Sequence, residues 1–136
     1  MVTIRLAETP TEKAKFARAA LDHVLYVPGW GMYPTLCEII EDPYCNADIT
    51  LAVDTEPVGV AVRFLQDFYI GWTMDANSVI VFVTPDFRRL GIGKGLIHAF
   101  NTPIEHLISY SGEHGSIAFW RSLGTRDIDF PENPRW

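Results

Sequence analysis

The 136-residue chain is 48% hydrophobic and 21% charged with a formal net charge of −6, which fits a single globular domain and argues against a disordered segment. The acidity disfavours a nucleic-acid partner, whose backbone calls for a basic surface. No apolar run approaches the roughly 20 residues of a membrane span. The start MVTIRLAETP lacks the basic-then-apolar order of a leader. Cys37 and Cys45 have no metal-binding spacing, so the expectation is a cytoplasmic protein with reduced thiols and no metal.

In chain order, VTIRLAE (2–8) alternates apolar and polar residues and predicts a strand. Thr9-Pro10-Thr11-Glu12 has the pattern of a capping box with proline at the first helical position. Phe16, Ala17, Ala20, Leu21, Val24 and Leu25 follow helical spacing, and Pro28-Gly29 should stop that helix. A short second helix fits 34–41. DITLAVD (48–54) and PVGVAVRFLQDFYI (57–70) read as two strands joined by a turn at Asp54-Thr55-Glu56. SVIVFVT (78–84) is a continuous β-branched run and predicts a buried central strand. A helix from Lys94 to Phe100, a strand at 104–110, a helix at 115–124 capped by Gly124 and a short strand at 126–130 complete the chain, with an irregular tail at 131–136. The order β-α-α-β-β-β-α-β-α-β predicts an α/β domain over 1–136, with helices on a mixed sheet.

The stretch TPDFRRLGIGKGLI (84–97) carries Arg88, Arg89 and Lys94, three of the eleven basic residues, with Gly91, Gly93 and Gly95 among them. A strand, a glycine loop and a helix start make an anion site, because the loop N–H groups point outward and glycines admit a ligand closely. The P-loop pattern G-x-x-x-x-G-K-[ST] is not met. A Rossmann fingerprint fails too: Pro85 to Leu90 intervene after the strand and the third glycine is at the wrong spacing, although Glu113 lies about 20 residues on. An ordinary chain reversal with solvated arginines is the plain structural alternative.

Val83-Thr84-Pro85-x-x-Arg88-Arg89-x-Gly91-Ile92-Gly93 resembles the acetyl-CoA signature of the GCN5-related N-acetyltransferases (GNAT), whose core pattern is [Q/R]-x-x-G-x-[G/A]. The element order over roughly 2–130 and AFWRSLG, similar to the family's FYxxxG helix, extend the resemblance. It implies acetyl-CoA as cofactor and acyl transfer to an amine of a small molecule or a protein. The backbone from Arg88 through Arg89, Leu90, Gly91, Ile92 and Gly93 to Lys94 would hold the pyrophosphate. Val81, Phe82 and Val83 would pair with the pantetheine arm as an added strand, while also serving as core strand.

The chain departs from the family pattern at two positions. Trp120 stands where the family commonly places an acidic tyrosine, and Asn77 where histone-type members place a glutamate base. Substitutes are Tyr110 as the acid, Glu113 with His114 as a base, or Asp75 acting through water. Each has an ordinary alternative as a strand or turn residue. His23, Trp30 and Tyr33 fall where the family shapes its acceptor site, and an aromatic lid packed on the core is the other reading of YVPGWGMYP (26–34). An acetyltransferase-like protein that binds a partner without catalysis is the competing function. An unpaired strand edge at the end of the chain would suit a homodimer.

Overall fold

A computed structural model describes residues 1–24, 33–42, 44, 46–69, 73–111 and 117–129. Strand β1 (Thr3–Leu6) leads into helix α1 (Pro10–His23), followed by α2 (Tyr33–Glu41). Strands β2 (Ala47–Val53) and β3 (Pro57–Phe64), the two-residue strands β4 (Phe68–Tyr69) and β5 (Thr73–Met74), and β6 (Val79–Val83) come next. Helix α3 (Ile92–His98), β7 (Ile108–Ser111), α4 (Ile117–Leu123) and β8 (Arg126–Asp129) finish the fold. Among the described residues no helix is long and apolar enough to cross a membrane.

The Thr9 cap of α1 forms, with the Glu12 half of the expected box shifted one residue back. Thr9 Oγ1 accepts the Glu12 N–H at 3.1 Å, and Glu12 Oε1 reaches back to the Glu8 N–H at 2.9 Å. Arg5 Nη2 donates to the other Glu12 oxygen at 2.6 Å. The Glu8 amide first, and Arg5 second, hold the Glu12 carboxyl below its ordinary range.

The main sheet is antiparallel in the order β1-β2-β3-β6. Alternation along β2 and β3 sends side chains to two cores. Ile49, Leu51, Val60, Val62 and Phe64 pack beneath Ala17, Ala20 and Val24 of α1 and Leu36 and Ile39 of α2. Ala52, Val58, Ala61 and Val79 pack against Ile92, Leu96 and Ile97 of α3 and Trp120 of α4. Each fully buried Ile, Leu, Val or Phe contributes about 1.5–3 kcal/mol relative to exposure. Thr50 Oγ1, buried, donates to the Leu96 carbonyl at 3.0 Å and fastens α3 to β2.

Several boundaries differ from the sequence expectations. Helix α1 ends at His23, with Val24 N–H closing on Ala20 C=O, so the helix stops ahead of Pro28-Gly29; Leu25 lies outside the described residues. The expected single strand 57–70 breaks after Phe64, where bends at Leu65 and Gln66 separate β3 from β4. Residues 104–106 form a 3-10 turn, which delays β7 to Ile108. The strand expected to be buried and central is half-buried from Ile80 to Val83, because β6 is laddered on one side only. Glycine 124 does cap α4, with φ of 87°, and β8 runs parallel to β7 in a separate pair, Ile108↔Arg126 to Ser111↔Asp129.

Candidate functional site

The two edges of β6 differ. Thr84 N–H donates to the Val58 carbonyl and Phe64 N–H to the Ser78 carbonyl, both at 2.9 Å. Hydrogen-bonded pairs alternate along an antiparallel ladder. With Val60 opposite Phe82 and Val62 opposite Ile80, the even-numbered residues of β6 turn their backbone to β3. Val79, Val81 and Val83 turn theirs the other way. On that side β7 meets the strand only at the Ser78↔Ile108 bridge, where the Ile108 N–H donates to the Asn77 carbonyl at 3.0 Å. Beyond it the strands part. The Val81 N–H and carbonyl and the Val83 N–H have no partner among the described residues. Phe82, expected beside Val81 and Val83 as a backbone partner for a ligand, gives its backbone to Val60 instead.

At the carboxyl end of β6 the chain makes a 3-10 turn at Pro85–Phe87 and then the glycine loop. Arg89 and Gly91 take left-handed conformations, φ 64° and 80°, which turn the chain sharply into α3. The first helical bond is Gly95 N–H to Gly91 C=O at 3.1 Å. The N–H groups of Arg89 through Lys94 therefore donate to nothing among the described residues. Arg89, Leu90 and Lys94 are exposed.

Arg88 behaves differently from a free cation. Its Nε donates to the Val83 carbonyl at 2.8 Å, and its guanidinium lies 5.3 Å from the centre of the Phe82 ring. It braces the loop against the end of β6. The glycines also divide their work. Gly91 needs its φ, and a Cβ there would meet open space. A Cβ on Gly93 would stand 2.9 Å from Phe119 Cε1, and one on Gly95 2.5 Å from Ile4 Cδ1. These two glycines let α3 approach α4 and β1 closely. Phe119 was not apparent from the sequence as part of this region; its signal is only its place one residue before Trp120.

The other predicted residues are dispersed. Trp120 is 4% exposed, sits in the α3-side core, and contacts Phe119 edge-on with ring centroids 4.8 Å apart. Asp75 is exposed at the opposite end of β6 from the glycine loop, its carbonyl accepting the Ser78 N–H. Asn77 has both amide faces of its backbone engaged and accepts two bonds from Arg63. Tyr110 lies in β7, two residues past the bridge, on the strand that forms the far wall of the opening. His23 closes α1 within 3.9 Å of Glu56, at the same end of the sheet as the glycine loop. Tyr33 begins α2. Trp30, Glu113 and His114 lie outside the described residues.

No family model matches this sequence, and no curated protein does. Solved structures match along nearly the whole chain. A complex of AAC(6')-Iy with the bisubstrate analogue CoA-S-monomethyl-acetylneamine aligns at 20% identity and a TM-score of 0.58, covering 98% of this chain and 99% of that one. A ribosomal-protein-alanine N-acetyltransferase from Brucella melitensis biovar Abortus 2308 aligns at 18% identity and 0.51, covering 90% and 87%. A transcriptional regulator from Bacillus halodurans C-125 aligns at 22% identity and 0.52, covering 91% and 92%. The chain has the mixed α/β fold of the GNAT acetyltransferases.

Proposed function

We propose that this chain binds acetyl-CoA and transfers its acetyl group to an amine of a small molecule or a protein. The observation that carries the reading is two sets of backbone N–H groups without a partner among the described residues, Val81 and Val83 on the open edge of β6 and Arg89–Lys94 in the loop after the 3-10 turn. A strand edge accepts an amide-bearing arm, and a cluster of loop amides suits a pyrophosphate. Arg89 and Lys94, exposed beside those amides, add positive charge on an otherwise acidic protein.

Acetyl-CoA would supply a thioester whose carbonyl carbon the amine attacks: a C–N bond would form as the C–S bond breaks, the nitrogen giving up one proton to solvent and the departing sulfur taking one up. The Val81 N–H, on the open edge and farther from the loop than Val83, would hold the oxygen that gains charge. Arg88, bonded to the Val83 carbonyl, fixes the direction of the loop end of the strand. Trp120 is packed in the core and its indole is no acid, so the proton for the leaving sulfur is assigned to Tyr110 on β7. An amine acceptor would enter from the end of the sheet shared by His23 and the glycine loop.

The test is a calorimetric titration with acetyl-CoA, followed by thiol release in the presence of an amine panel. Micromolar binding with thiol release, and a fall of kcat of about tenfold or more in Tyr110→Phe, support the reading. Failure of the wild-type protein to bind at millimolar acetyl-CoA sinks it.

A further inference from the structure

The fork between β6 and β7 is made at one residue. Asn77 has φ of 70°, a left-handed conformation that Asn adopts more readily than most residues. Its N–H donates to the Phe64 carbonyl at 2.7 Å, and its carbonyl accepts from Ile108 at 3.0 Å. One residue thus grips β3 on one side and β7 on the other, directly before the open stretch begins.

Its side chain is held as well. Asn77 Oδ1 accepts from Arg63 Nε at 3.2 Å and from Arg63 Nη2 at 2.9 Å. Arg63 Nη1 lies 3.6 Å from Asp48 Oδ2, its cross-strand partner, and Asp48 Oδ1 lies 3.6 Å from Lys13 Nζ on α1. The Arg63 and Asp48 side chains are only 18% and 22% exposed. A guanidinium placed that deep in the apolar strand PVGVAVRF carries a desolvation cost that a merely solvated arginine would avoid. The neighbouring Ser78 hydroxyl is buried without a hydrogen-bond partner among the described residues, so none of them anchors the fork through it. The anchor is the Arg63–Asn77 pair, tied through Asp48 to α1.

We propose that Arg63 and Asn77 are a positioning pair that fixes where and at what angle β7 leaves β6, and so sets the width of the open edge along Val81 and Val83. This rests on the reading that the edge receives the CoA arm. The pair acts through the backbone of the fork and needs no contact with the arm.

The test uses the full chain with Asn77→Gly and Asn77→Asp. Glycine keeps the left-handed backbone and removes the acceptor; aspartate keeps an acceptor for Arg63. In the glycine variant the acetyl-CoA dissociation constant should rise about tenfold, the scale of one charge-assisted hydrogen bond. Amide hydrogen exchange at Ile108 should speed up by about the same factor, while amides along the β2–β3 ladder keep their protection. The aspartate variant should restore both. Wild-type exchange at Ile108 in the glycine variant would overturn the proposal. So would exchange accelerated evenly through the sheet, or an aspartate variant no better than glycine. The exchange measurement needs no ligand. A wild-type protein that fails to bind acetyl-CoA therefore refutes the cofactor reading, while Ile108 still decides the role of the fork.

Discussion

The two sides of β6 carry the same polypeptide under opposite conditions. Towards β3, each hydrogen-bonding residue from Ser78 to Thr84 is matched. Towards β7, one bridge is followed by the Val81 and Val83 amides, which have no partner among the described residues, and a second such set lies in the glycine loop. A buried sheet normally leaves few such groups unpaired. Stability is therefore concentrated on one side and binding capacity on the other, within one five-residue strand.

The largest expected effect tests this division directly. Phe82→Pro removes an N–H committed to β3 and should cost about 3 kcal/mol or unfold the domain. Val81→Pro removes an N–H that faces the opening, so it should lower the melting temperature far less while abolishing the calorimetric signal with acetyl-CoA. Equal destabilisation by the two prolines would erase the distinction between the edges.

A smaller effect is expected where the open side is packed. Gly93→Val should cost about 1–3 kcal/mol by driving a side chain into Phe119, and Phe119→Ala in the same chain should return part of it, measured as a double-mutant cycle by denaturant unfolding. The closed side supplies the mildest cases. Thr9→Ala should cost about 1 kcal/mol through the lost cap, with acetyl-CoA affinity unchanged. Glu12 has its carboxyl lowered by the Glu8 amide and Arg5. Its contribution is present above the ordinary carboxylate range and is lost as pH falls through the lowered value. Glu12→Gln should therefore lower stability slightly near neutral pH, flatten the acid limb, and converge with the wild-type chain below the lowered carboxyl value.

Much of this architecture was legible because local signals and tertiary structure agree. The Thr9–Glu12 cap, the β-branched run of β6 and the left-handed Gly124 all follow from residue chemistry. The break after Phe64 was not legible, since PVGVAVRFLQDFYI reads as one strand until tertiary packing bends it at Leu65. The half-exposure of β6 was hidden for a related reason: an apolar run declares a strand but not how many neighbours it has. The glycine loop was recognised, yet its glycines were read together as ligand clearance. Only the fold separates Gly91, which needs its backbone angle, from Gly93 and Gly95, which need room for Phe119 and Ile4. Asn77 looked like an absent glutamate. Its bond to Arg63 joins residues 14 apart in sequence, and no short-range pattern announces such a pair.

Trp120, the one tryptophan among the described residues, touches Phe119 edge-on, and Phe119 rests on Gly93 at the start of α3. The indole is therefore mechanically linked to the glycine loop through a single ring. The difference in near-ultraviolet circular dichroism and emission between the wild-type chain and Trp120→Phe, in which the other three tryptophans cancel, becomes an optical gauge of that loop.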